Sequence, residues 1–537
     1  MASEQQLLLD ADSEQVRSYS VVESQVRKPS VDLRRVLVPC AAGLFLSAVD
    51  NAGISSSYTA IASDLGQLQN ASWIATGYLL ALTSAQPLYG KLSDIFGRKG
   101  CIVFAYALYA CGSLCCALSR DMAQLVASRA VVGLAGGGMT TLISIIMTDV
   151  APLRSRGTWQ GVMNLIYSCG TTIGAPLGGA LADGPGWRWT FTLQFCLALL
   201  AIGMAATLLR LPTKESDHTA SKLKRVDFFG SLFLLLAIST LLFGLNRGGN
   251  LGWLERGTIT PLVCAAAFGL ALVFVETRVA KEPLAPADVV LDRALTGPYF
   301  CNFFAFGADA CFLFCVPLYY QAVAGKSATQ VGYALVPSEL APIVGSLGCG
   351  VLIQRTGRFY WPTVSAVGIQ LIGIILAFVS AVFAQSAVGI AIGYAVASFG
   401  TGIGASSLIV ALVANAGSDN QAIATAVSYL FRSLGAVLGV SIGGTVIQHT
   451  LRDALHRRLD GLPVDADDMV AHVRASLAYI DDLEPALQHI VRTSYKEALS
   501  TALAYAIASS FCAVLCSFLV KDRDLHEKVD DTRPEPN

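Results

Sequence analysis

Charge is scarce in this chain. Of 537 residues, 14% are Asp, Glu, Lys or Arg, against about 25% in an ordinary soluble domain, while 54% are hydrophobic. The charges that remain crowd into both tails and a few short connections. Such a chain must present a mostly apolar surface, which excludes a soluble globule and fits a membrane protein. A basic excess is also missing: 37 Lys and Arg stand against 38 Asp and Glu, so the counterion-driven term of nucleic-acid binding has no patch to work from. There are six histidines, His218, His449, His456, His472, His489 and His526. All fall in tails, loops or at a span end, which excludes a mid-membrane histidine relay. The fourteen cysteines contain no CxxC pair, and most, such as Cys111, Cys115, Cys311 and Cys315, sit in apolar runs as small hydrophobes. No disulfide framework, metal centre or cofactor is expected. With no nucleophile–base pair either, no enzyme is expected. Residues 1–33 are polar and the first apolar run is long enough to span, so it is expected to insert without a cleaved signal peptide.

What is present is a series of apolar runs. About 20 such residues are needed to cross roughly 30 Å of hydrocarbon, and runs of that length predict fourteen spans in an all-α polytopic fold. The predicted division is a tail at 1–35, a six-helix bundle at 36–210, a linker with two extra spans at 211–296, a second six-helix bundle at 297–520 and a tail at 521–537. An even count puts both tails on one side. Arg34, Arg35, Lys91, Arg98, Lys99, Arg355 and Arg358 gather on that side, so the positive-inside rule makes it cytosolic. Residues 449–497 then form a long non-cytosolic segment with amphipathic helical stretches, a lid or a spacer.

The chain repeats itself. Gly90, Leu92, Gly97 and Arg98 recur as Gly350, Leu352, Gly357 and Arg358, 260 residues later; Gly170, Gly174, Gly178 and Gly179 recur as Gly435, Gly439, Gly443 and Gly444, 265 later; Asp50 recurs as Asp309, 259 later. Three matches at nearly one offset predict two parallel six-span halves with a substrate site on the axis between them.

Three motifs carry the expected mechanism. The string from Gly90 to Lys99 resembles the signature cytosolic loop of the major facilitator superfamily. Its glycines Gly90 and Gly97 permit a tight turn between helix ends, Asp94 can sit at a helix N-terminus, and Arg98 can reach a carboxylate such as Asp149, latching the cytosolic side. The alternative is that its basic residues only enforce topology. In span five, Gly170, Gly174, Pro176, Gly178 and Gly179 resemble the antiporter motif of drug:proton exchangers, although here the proline stands one position later than in the usual Gly-Pro pair. Glycines four apart also serve plain close packing. Last come charged residues within spans, Asp50, Arg129, Asp309, Glu339 and Arg432, each costing about 2.5–3.5 kcal/mol at mid-helix. Asp50 or Asp309 in a cavity could take up a proton reversibly; buried ion pairs that only pin helices are the alternative reading. Arg129 opens a segment resembling the superfamily's proton-coupling motif, and Asn51 stands beside Asp50.

Smaller signals complete the list. Glu4, Leu8 and Leu9 fit an acidic dileucine signal read by a sorting adaptor. Asn70 heads a glycosylation sequon but abuts span two and is better read as that helix's cap. Gly325-Lys326-Ser327 resembles the end of a phosphate loop, without the leading glycine or a soluble domain around it.

Over nearly its whole length the chain resembles the fourteen-span drug:proton antiporter branch of the major facilitator superfamily. Asn70-Ala71-Ser72-Trp73, Gln86 to Asp94 and Arg156 to Gly161 look most like fungal vacuolar transporters of basic and some neutral amino acids. That resemblance implies a monomeric, proton-coupled antiporter working by alternating access in the vacuolar membrane, with small-molecule substrate, protons and membrane lipid as partners. One departure concerns span one, where the group's Leu-Asp-x-Thr is here Val49-Asp50-Asn51-Ala52. A plasma-membrane exporter of drugs or secondary metabolites, with aromatics such as Tyr58, Phe304, Phe306, Tyr319 and Tyr320 lining its pocket, is the alternative. A non-transporting nutrient sensor is the alternative of another class.

Overall fold

A computed structural model describes residues 33–150, 156–209, 228–250, 254–278, 287–384, 386–460 and 466–522. The first bundle comprises α1 (Leu33–Asp64), α2 (Ser72–Phe96), α3 (Arg98–Leu118), α4 (Met122–Val150), α5 (Arg156–Asp183) and α6 (Arg188–Leu208). A hairpin of α7 (Phe228–Asn250) and α8 (Arg256–Arg278) follows. Then come α9 (Arg293–Leu318, extended by a π-turn to Val323), α10 (Ala328–Thr356), α11 (Tyr360–Val379), one continuous helical run Ala387–Leu459, and α14 (Pro485–Ser517). The long run crosses twice, as α12 (Ala387–Ala416) and α13 (Val427–Leu459). It must double back, because Thr401 bonds Asp309 while Gly439 lies against Gly307 on the same helix. A straight helix of those 38 residues, 439 minus 401, would separate them by about 57 Å.

Twelve helices among the described residues are long and apolar enough to cross a membrane. The two other helices standing at predicted span positions, α2 and α7, fall outside that set; α7 has only the shorter apolar stretch Leu232–Leu245. Length and apolarity therefore support twelve spans directly rather than fourteen. Phe104, Leu200, Leu270, Phe274 and Ile372 are each about 60–70% exposed on the outside, where lipid takes the place of water.

Local chemistry explains the turns. Gly97 between α2 and α3 has φ 85° and Gly357 after α10 has φ 66°, a region that suits glycine. These are equivalent glycines of the repeated loop. Ser327 and Gln330 form a capping box on α10, and Asp292 caps α9 through Ala294 N at 2.8 Å.

The repeated glycines do equivalent work. A Cβ on Gly174 would lie 2.7 Å from the Val49 carbonyl of α1, and one on Gly439 would lie 2.1 Å from the Gly307 carbonyl of α9. Gly178 faces Gly53, as Gly443 faces Cys311. The last member of each set reaches across to the other half: Gly179 meets Ala328 at the start of α10, and Gly444 meets Ser72 at the start of α2.

The halves converge at the end away from the tails. There Tyr58 stacks on Phe314 at 4.9 Å and donates to its carbonyl. Asp183 accepts from the amides of Ala328 (3.1 Å) and Thr329 (2.7 Å). The segment 449–497, expected to carry amphipathic helical stretches, is largely helical among its described residues: α13 runs to Leu459, short helices occupy Ala466–Ala475 and Ala478–Asp481, and α14 starts at Pro485. Ion pairs from Arg457 and Arg458 to Glu497, both 2.6 Å, hold the two extensions together. Ser476 bonds Ser63 of α1 at 2.8 Å, and Ser63 also accepts from Leu477 N. The segment is thus a strap over the closed end, which is why its amphipathic pattern buries Met469, Val470, Val473 and Ile480.

Candidate functional site

The charged residues within the helices fall into two unlike groups. In the first half, Arg129 of α4 reaches Asp50 of α1 with one terminal nitrogen 2.8 and 2.9 Å from the two carboxylate oxygens. Their side chains are 2% and 0% exposed. The guanidinium also lies over Tyr78, 4.5 Å from the ring centroid, with Nε 3.5 Å from the Ile74 carbonyl. Asp50 and Arg129 therefore neutralise each other inside the first bundle.

The second half is different. Asp309 of α9 is half-buried and accepts from Thr401 of α12 at 3.2 Å. Glu339 of α10 is half-buried, near Thr171 of α5, whose hydroxyl donates to the Ser168 carbonyl at 3.1 Å, and within electrostatic range of Asp309. Arg432 of α13 is half-buried with its guanidinium 3.9 Å above Phe306, one turn from Asp309 on the same helix. Among the described residues, none of these three charges is in ion-pair contact with an opposite one. Tyr167 of α5 lies within electrostatic range of Glu339, Arg432 and Asp50, and accepts a 3.5 Å hydrogen bond from Asn51. Tyr394 of α12 feels both Asp309 and Glu339. The arrangement brings two acids, one base and two phenols, contributed by both halves, into one electrostatic neighbourhood.

Several expected residues lie elsewhere. Gly170, Gly174 and Gly178 pack α5 on α1, while Gly179 and Pro176 face α10. In the loop from Gly90, Arg98 donates to Ser93 and Lys99 donates to the Ala206 carbonyl at 2.8 Å; the side chains of Asp94 and Asp149 are outside the described residues, as are Glu4, Leu8 and Leu9. Asn70 does not cap α2: its amide donates to Gln67 at 3.2 Å, and α2 starts with no side-chain cap. A 3-10 turn at Leu68–Asn70 leaves Ala71 at the cap position. Of the expected pocket aromatics, Phe306 reaches the charged group, whereas Tyr58 is spent on the closed end and Tyr320 donates to the Ala387 carbonyl. The residues the sequence reading missed are Tyr167, Thr171, Tyr394 and Thr401. A signal for two of them was present, since Tyr167 and Tyr394 stand 265 residues from Arg432 and Arg129, the offset of the glycine repeat.

The model of the Major Facilitator Superfamily matches residues 40–440. The chain belongs to this superfamily. It is 34% identical over 501 residues to a vacuolar membrane amino acid uptake transporter of Schizosaccharomyces pombe, covering 92% of this chain and 85% of the relative. It is 33% identical to a multidrug resistance protein of the same organism, covering 95% and 97%. Among solved structures, a bacterial homologue of the human lysosomal transporter Spinster, inward-facing and unoccupied, superposes with TM-score 0.59 at 17% identity over 92% of this chain and 98% of that one; that likeness concerns the fold alone. The chain is a multi-pass membrane transporter of small molecules, not an enzyme.

Proposed function

We propose that this transporter is a proton-coupled antiporter that carries basic or neutral amino acids across the vacuolar membrane by alternating access, with both tails cytosolic. The carrying observation is that, among the described residues, Asp309 and Glu339 make no ion-pair contact with an opposite charge, Arg432 acting on Asp309 only from a distance, while Asp50 is tied to Arg129. Carboxylates so placed can exchange a proton or a substrate amine, whereas a carboxylate held in a buried ion pair cannot do so without breaking it. Asp50 and Arg129 accordingly brace the first half. Two acids and one base also complement a dibasic amino acid, whose two ammonium groups and one carboxylate mirror them.

The architecture proposed is six spans, two inserted spans and six spans, with the tail-side loop around Gly90, Asp94, Gly97, Arg98 and Asp149 as cytosolic gate. The proposed destination rests on the vacuolar relative and on Glu4, Leu8 and Leu9 as an adaptor signal. Multidrug export at the plasma membrane is the second reading, favoured by the relative named for multidrug resistance. The test is uptake of labelled lysine, arginine, histidine and a cationic dye into vesicles holding the purified protein, with and without an imposed pH gradient. Gradient-driven lysine uptake that Asp309→Asn abolishes is expected. Wild-type uptake of every solute that ignores the gradient would overturn proton coupling.

A further inference from the structure

The two halves hold the same three positions filled in different order. Asp50 on α1, Arg129 on α4 and Tyr167 on α5 correspond to Asp309 on α9, Tyr394 on α12 and Arg432 on α13, at offsets of 259, 265 and 265. The carboxylate keeps its place; the arginine and the tyrosine have changed places. In the first half the exchange puts the arginine against the carboxylate, deep between α1 and α4. In the second half it puts the arginine on the helix equivalent to α5, out of ion-pair contact with Asp309 but within electrostatic range of it and of Tyr167 in the opposite half.

We infer that Arg432 is the anchor for a carboxylate group of the transported solute, with Tyr167 as its second donor. Arg432 stacks its face on Phe306 at 3.9 Å. Stacking leaves the in-plane N–H groups at the edge of the guanidinium, and that edge is the part that binds a carboxylate as a fork. Tyr167 spends its oxygen on accepting from Asn51, which leaves its O–H to donate. A carboxylate between Arg432 and Tyr167 would touch both halves, and an amine on the same solute would point toward Asp309 and Glu339. Arg129 cannot serve in this way, being held by both oxygens of Asp50.

This assignment builds on the proposed amino acid transport, so its test uses two solute pairs that differ by a free carboxylate. Direct binding of labelled lysine and of cadaverine, its decarboxylated form, is measured on the full-length protein in nanodiscs, alongside rhodamine B and its ethyl ester. Wild-type protein is expected to prefer the carboxylate-bearing member by about 10- to 100-fold, the range of a hydrogen-bonded charge pair. Arg432→Gln should bring that ratio to about one while cadaverine binding holds, with Arg432→Lys in between and Tyr167→Phe a smaller loss. Unaltered ratios in Arg432→Gln, equal weakening of both members, or a wild type that discriminates in neither pair would overturn the assignment. Discrimination confined to the dye pair would keep Arg432 as anchor and defeat the amino acid reading.

Discussion

The Asp50–Arg129 pair offers the sharpest test of the division between bracing and responsive charges. Both side chains are within 2% of complete burial, and Arg129 contacts both carboxylate oxygens below 3 Å. Removing one member leaves an uncompensated charge where no water can reach it, a loss of about 3–5 kcal/mol. At 1.36 kcal/mol per decade, Asp50→Asn should raise the population of opened protein by about two to nearly four decades. Cys116 reports this well, because it is fully buried and lies within electrostatic range of both residues. Thiol labelling at Cys116 in nanodiscs, read by mass spectrometry, should accelerate accordingly in Asp50→Asn. Replacing both residues, Asp50→Leu with Arg129→Met, removes the charge along with its partner, and apolar pairs of similar volume are neutral or stabilising in such sites. The double variant should therefore return labelling to within about tenfold of the wild-type rate. Wild-type labelling in Asp50→Asn, or a double variant as labile as the single one, would refute the bracing role. If the double variant also retains gradient-driven uptake, the proton does not pass through Asp50.

Two further predictions concern packing and the closed end. Alanine at Gly178 or Gly439 would place Cβ 2.3 or 2.1 Å from a facing carbonyl oxygen and should destabilise by about 3 kcal/mol or more, whereas Gly203→Ala and Gly368→Ala, with nothing within 4 Å, should gain about 0.5–1 kcal/mol; thermal unfolding in detergent compares the four. Cysteines replacing Ser63 and Ser476, whose hydroxyls are 2.8 Å apart, should cross-link under oxidant and stop uptake until a reductant is added; continued transport by cross-linked protein would show that the strap stays in place as the halves move.

Much of this architecture was legible in the chain. Gly97 and Gly357 announced equivalent turns, and the glycines of α5 and α13 announced equivalent helix contacts, because a missing side chain at fixed spacing has one physical use at a helix interface. The span count was less secure where a helix is shielded by its neighbours. α2 carries Ser72, Thr76, Thr83 and Ser84, buried against protein rather than lipid, so it falls outside the set chosen by length and apolarity although a helix stands there. The status of the acids was not legible residue by residue. Asp50 and Asp309 look alike in sequence, and what separates them is a third residue on another helix, Arg129 in one half and Tyr394 in the other. The repeat contained that difference, but only the packing of α4 on α1 and of α12 on α9 gives it meaning.

The same contrast extends to the closed end, and there it explains how a stable bundle can also be a moving one. The hydrogen bonds that join the halves at that end are of modest strength, among them a tyrosine on a carbonyl, two serines, and one carboxylate accepting two amides. Neutral hydrogen bonds of this kind each contribute about 0.5–1.5 kcal/mol net, and those to a charged group about 1.5–3. Together these four come to about 4–9 kcal/mol, a range that includes the roughly 5.5 kcal/mol that moves a two-state equilibrium from 1:99 to 99:1. On the proposed mechanism, a solute or proton bound at Asp309, Glu339 and Arg432 would supply a difference of that size. On the same mechanism that difference would not dissolve Asp50–Arg129 as well, which would keep the ion pair that braces the first half off the path of both. Burying that pair between α1 and α4, and leaving the second half's charges facing the first, meets both requirements with one exchange of an arginine for a tyrosine.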